Sequence, residues 1–153
     1  MPRMYSAILL LHSWVRWVVL IVAVLVLVRA GRARDWTRAE DRLHAMFTGV
    51  VDLQMLLGLI MYVFLSPVTQ EAFKDMAFAM RNGPLRFWAV EHITGMIVAV
   101  ALAHVGRALA RKALDPATKR RRALLFTSLS LAAMVLSIPW PGLPNGRPLF
   151  RLN

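Results

Sequence analysis

The sequence contains no cysteine and few acids. Without thiols there are no disulfides, thiolate metal sites or iron–sulfur clusters, and no covalent haem attachment through C-x-x-C-H. Eight Asp and Glu stand against nineteen Lys and Arg, a net charge of +11. In a water-soluble chain that imbalance would point to nucleic acid. Here 58% of the residues are hydrophobic and the mean hydropathy is +0.55, and the basic residues fall mainly between apolar runs. Their natural partner is the anionic cytoplasmic leaflet of a membrane, not nucleic acid. Internal repeats, low-complexity blocks, a soluble second segment and any nucleophile or metal-hydrolase constellation are also missing. The 153 residues read as a single transmembrane domain, and as an electron carrier or complex subunit more than an independent enzyme.

Four stretches approach the roughly 20 apolar residues that cross a hydrocarbon core of about 30 Å. They run over about 7–28, 45–65, 87–106 and 123–140, and they predict an all-α integral membrane four-helix up-down bundle. The first is too long for a signal-peptide core and lacks a cleavage site after it, so it is expected to be retained. Arg29, Arg32, Arg34, Arg38 and Arg42 separate the first two stretches. Arg107, Arg111, Lys112, Lys119, Arg120, Arg121 and Arg122 separate the last two. Arg3, Lys74, Arg81, Arg86, Arg147 and Arg151 lie on the other side. The positive-inside rule then puts both termini outside a bacterial inner membrane. Phe73, Met76, Ala77 and Met80 recur at helical spacing and predict a short interfacial helix over about 70–81. The tail after Ile138 is too rich in Pro and Gly to continue a helix, and reads as extended or as a docking segment.

All four histidines fall within or at the edge of these spans. Ionisable residues in membrane helices are costly and are functional by default. At 1.5 Å per residue, His12 and His92 lie about 9 and 8 Å below the outer surface, while His44 lies near the inner surface and His104 about 5 Å from it. The four therefore sort into two levels, each with two histidines on different helices. That arrangement suits bis-imidazole haem sites built in a bundle core: His12 with His92 for an outer haem, His44 with His104 for an inner one. The twelve residues from His92 to His104 also turn the helix by about 120° net, so these two look toward different neighbours. The outer pair is the better defined.

Arg16 follows His12 by four residues and shares its face with Leu9, Val19 and Ala23. It is expected either to pair with Asp52 on the second span or to bind a haem propionate or a quinone head. Glu91 is expected to relay a proton, orient a neighbour or pair with Arg86. Trp14 and Trp17 are placed to flank a ring, and Tyr62 to donate a hydrogen bond at the outer end. Met55 and Met96 are alternative axial ligands. The small residues Gly49, Gly58, Gly95, Ala99, Ala103 and Gly106 permit either a macrocycle or plain helix contacts.

The strings Leu11-His12-Ser13-Trp14-Val15-Arg16-Trp17, Glu91-His92 followed by His104, and Ile138-Pro139-Trp140-Pro141 resemble those of small four-helix bacterial cytochrome b-like membrane proteins. More distantly, the arrangement of histidines at two membrane levels is similar to cytochrome b561. The resemblance implies haem b and electron transfer, with His12, His44, His92 and His104 as iron ligands. Quinone is a second candidate ligand, and a redox partner or larger membrane complex a candidate assembly. The rival expectation is a cofactor-free accessory or anchor subunit of a respiratory complex.

Overall fold

The computed structural model describes residues 2–32 and 35–151. Arg34, one of the inner-loop charges, and both chain ends lie outside the described residues. Seven α-helices, α1 (Pro2–Arg32), α2 (Arg38–Ile60), α3 (Pro67–Lys74), α4 (Met76–Arg81), α5 (Gly83–Arg86), α6 (His92–Lys112) and α7 (Pro116–Ser137), follow one another. Two π-helical turns extend them, Met61–Leu65 after α2 and Phe87–Glu91 before α6. No strand occurs among the described residues.

Local chemistry sets most of the boundaries. Thr37 and Glu40 form a capping box at the start of α2, with Thr37 Oγ1 accepting from Ala39 N and Glu40 accepting from Thr37 N at 3.0 Å. Ser66, Asp75, Asn82 and Asp115 cap α3, α4, α5 and α7 through their side-chain oxygens. The Asp75 cap divides the expected interfacial helix in two. Its backbone at φ −146°, ψ 90° ends α3, and its carboxylate starts α4 by accepting from Phe78 N at 2.8 Å.

Three helical stretches, Arg3–Arg32, Arg38–Leu65 and Gly83–Lys112, are long and apolar enough to cross a membrane. The fourth expected span differs. Lys119, Arg120, Arg121 and Arg122 occupy the first turns of α7, and the helix stops at Ser137 before Ile138-Pro139. Its apolar part is left at about 15 residues, roughly 22 Å of rise. That is short of the hydrocarbon thickness.

The long helices are in mutual contact: α1 packs on α2 and α7, and α6 on α2 and α7. Contacts between α6 and α7 run antiparallel, from Arg122 Nη1 on Leu109 O (2.7 Å) through Ser130 Oγ on Ala99 O (2.7 Å) to Ser137 O on His92 Nδ1 (2.8 Å). Glycine allows this closeness, because a Cβ on Gly95 would collide with the Ser137 side chain and one on Gly106 with Phe126. Val15, Val19, Val22 and Val26 of α1, Phe47, Val51 and Leu57 of α2, Ala99 and Ala103 of α6 and Met134 of α7 make one core. The outside is more apolar than a water-soluble surface: Leu11, Val18, Ile21, Val24 and Leu25 on α1 and Leu53 and Leu56 on α2 are all exposed. Buried Thr127 and Ser130 meanwhile sit in the interior. An apolar coat around a partly polar interior is what a lipid solvent requires. The molecule has a cap end, formed by α3–α5, and a basic end, where Arg29 meets Glu40 at 3.5 Å and Arg107 donates to Asp41 O at 3.1 Å.

Candidate functional site: a histidine-lined cavity

Near the cap end the long helices part around a cavity of about 150 Å³. The α1 stripe expected to face inward does so: Leu9, His12, Arg16 and Val19 line it, and Ala23 continues the stripe into the core. His92 and Met96 of α6 line the same space, together with Gln54, Met55 and Gly58 of α2. His12 and His92, matched in depth by counting residues along two helices, thus share one cavity.

Each imidazole is held in a way that leaves a nitrogen available. His92 Nδ1 lies 2.8 Å from Ser137 O. A carbonyl only accepts, so in the neutral ring the Nδ1 carries the proton and Nε2 keeps its lone pair. His12 has its own carbonyl bonded by Gln54 Nε2 at 3.1 Å, while its Nδ1 is buried without a partner. Gly58 makes room for this ring, since a Cβ there would stand 3.3 Å from His12 Cε1. Phe87 and Trp88 pack on the His92 ring at centroid distances of 5.9 and 5.5 Å. His12, His92 and Arg16 all line this one cavity.

Both π-helical turns border this end. A π turn frees a backbone carbonyl and shifts the helix register, and such turns gather at functional sites. Here the freed groups are met by side chains: Tyr62 OH donates to Ala89 O at 2.7 Å, joining one π turn to the other, and Thr69 Oγ1 donates to Tyr62 O at 2.8 Å. Tyr62 and Trp88 line the cavity, so the expectation of a donor role for Tyr62 is met between the two helices.

The tail closes over α1. Arg16 Nη2 and Trp17 Nε1 both donate to Leu149 O, at 2.7 and 3.0 Å, and Trp14 Nε1 donates to Arg151 O at 3.0 Å. Phe150 stacks on Trp17 with centroids 5.3 Å apart. These contacts revise two expectations. Trp14 and Trp17 flank the Phe150 ring of the chain's own tail, and Arg16 does not pair with Asp52. The reason is direction: Arg16 reaches toward the cap end and the tail, whereas Asp52 faces outward from α2. Glu91 takes the ion-pair option, with Arg86 Nε 2.6 Å from its Oε1.

The other two histidines are not gathered into a cavity. His44 is 1% exposed, with Trp36 edge-on at 6.1 Å and its Nε2 unpartnered. His104 Nε2 lies 2.7 Å from Asp52 Oδ1, both side chains being about half exposed, at 50% and 51%. Neither lines the space that holds His12 and His92. Residue counting missed Arg147, which also lines the cavity and lies over the Trp88 ring at 5.2 Å. It sits in a segment without helical periodicity, where depth cannot be counted. Comparison of the chain with protein-family models, with curated proteins and with solved structures finds no match in any of the three.

Proposed function

We propose that the protein is a b-type haem-binding electron-transfer protein of a bacterial inner membrane, with His12 and His92 as the axial pair. The observation that carries this reading is their convergence on one apolar cavity, each with an imidazole nitrogen to spare. The donor set fits the group. Among the described residues no three His, Asp or Glu cluster around a point, so two imidazoles suit a metal that brings its own equatorial ligands. When bound, haem supplies one-electron chemistry. The chain supplies the rest: the Ser137 carbonyl fixes the His92 tautomer and raises its basicity, Gly58 gives the His12 ring its space, and the apolar lining excludes water. Seating a macrocycle in about 150 Å³ requires the flexible thioethers of Met55, Met61, Met96 and Met134, which line the cavity, to repack.

In this reading α7 is the fourth crossing, its short apolar part completed by Ile138 and Trp140. The basic end faces the cytoplasm, and both termini lie outside. His44 and His104, which share no cavity, are left out of the haem site in this reading, and an extracytoplasmic quinol is the candidate donor. The experiment is an absorption spectrum of the purified protein, made with ample haem and reduced with dithionite. A b-type α-band supports the reading, and its absence overturns it.

One observation favours a second reading, a cofactor-free accessory or anchor subunit of a respiratory complex. The Asp52–His104 pair is half exposed on the outer faces of α2 and α6, a costly placement against lipid. A partner helix would cover it. Co-purification of further subunits without haem would favour this alternative.

A further inference from the structure

Every cation that reaches the cavity lacks a counter-charge. The lining contains two guanidiniums, Arg16 and Arg147, and no carboxylate. Neither forms an ion pair among the described residues, and the nearby Glu91 is taken by Arg86. Arg16 spends Nη2 on a neutral carbonyl, that of Leu149, lies over the Trp17 ring at 5.2 Å, and keeps Nε buried without a hydrogen-bond partner. Arg147 rests on the Trp88 ring and is held at the mouth by its own backbone N–H, bonded to Pro139 O at 3.0 Å. Two guanidiniums beside an apolar cavity, met only by a carbonyl and two indole faces, are poised for acidic groups. A carboxylate is a stronger acceptor than either present partner and matches the guanidinium fork.

Resting on the haem reading, we infer that Arg16 and Arg147 form a clamp for the carboxylates of the cavity's ligand, a planar apolar ring bearing two propionates, and that the 147–151 tail is the strap over it. On binding, Arg16 exchanges Leu149 O for a carboxylate, and the Trp14, Trp17 and Phe150 contacts hold the strap in place. Arg16 and Arg147 are positioning residues here, since the iron ligands are His12 and His92.

The test is titration of the full chain in one detergent with haem b and with its dimethyl ester, which keeps the ring and removes both negative charges. The comparison is the ratio of affinities in the wild type against the ratio in Arg16→Gln and Arg147→Gln, so that detergent partitioning cancels. Each variant is expected to lower haem affinity about tenfold while leaving ester affinity and the bis-histidine spectrum unchanged. Oleate provides a second arm, because a fatty acid carries the same head chemistry without the ring. Wild type and variants that bind haem with equal affinity overturn the clamp and leave the axial pair standing. Oleate binding that depends on both arginines, with no haem taken up, keeps the clamp and overturns the haem reading. Loss of the folded helical signal in both Gln variants transfers the test to Arg16→Lys and Arg147→Lys, where a retained preference for haem over its ester supports the clamp and equal affinity for the two overturns it.

Discussion

The two ends of the helix cluster carry the same number of histidines and use them differently. At the cap end, His12 and His92 face one cavity; nearer the basic end, His44 is sealed in the core and His104 sits on the outer face with Asp52. The difference lies in what separates the helices. At the cap end two π turns and the α3–α5 cap border the cavity, and the absence of a side chain at Gly58 leaves room for the His12 ring. The α6–α7 contact itself stays close at both ends, through Gly95 at Ser137 and Gly106 at Phe126, so the space lies on the α1 and α2 side of α6. A matched depth brings two residues to one level, but only space between helices makes a site.

The sharpest way to break this contrast is to remove the histidines one at a time. His12→Ala and His92→Ala are each expected to abolish bound haem in the reduced spectrum, whereas His44→Leu is expected to retain it. Because the His44 Nε2 is buried without a partner, an apolar replacement of similar volume should change thermal stability by less than about 1 kcal/mol. Equal haem loss in all three would erase the distinction.

Packing supplies the next largest effect. Gly95→Leu forces α7 away from α6 at Ser137, costs about 1–3 kcal/mol by overpacking, and displaces the carbonyl that orients His92. Detergent melting curves and haem content should fall together. Ser130→Ala removes only the bond to Ala99 O and should cost about 0.5–1 kcal/mol with the spectrum unchanged. At the outer face, Asp52→Asn and His104→Gln should leave haem content within experimental scatter, read by the same spectrum.

The smallest effect is expected at the α6–α7 turn. The Asp115 carboxyl accepts from the backbone N–H of Thr118, which holds it below the ordinary carboxylate range. A depressed folded value contributes stability above the unfolded pKa of about 3.9, lost as pH falls through the folded value. The melting difference between wild type and Asp115→Ala should therefore be present at neutral pH and vanish in acid.

Much of this organisation is legible from residue periodicity. Apolar runs mark three of the helices, the i, i+4 stripe of His12 and Arg16 faces inward, and counting at 1.5 Å per residue brings His12 and His92 to one level. The capping chemistry of Thr37-x-x-Glu40, Ser66-Pro67 and Asp115-Pro116 is equally local. What escapes is non-local. The π turns depend on which carbonyls Tyr62 and Thr69 can reach across the cap, and the place of Arg147 depends on a tail that folds back onto Trp14, Arg16 and Trp17. The Arg16–Asp52 expectation failed because equal depth does not fix facing: Asp52 turns outward to His104, while Arg16 extends along α1 to the strap. The fourth span fell short of the expected 123–140 because α7 stops at Ser137, before Ile138-Pro139, so the last residues of the apolar run add no helical rise.

The most direct test of the central claim is haem content per chain, measured side by side in the wild type and in the four single variants His12→Ala, His92→Ala, His44→Ala and His104→Ala, each shown to be helical in detergent. The account predicts haem in the wild type, none in His12→Ala or His92→Ala, and retention in His104→Ala and His44→Ala. Full haem content in a folded His12→Ala or His92→Ala would contradict it.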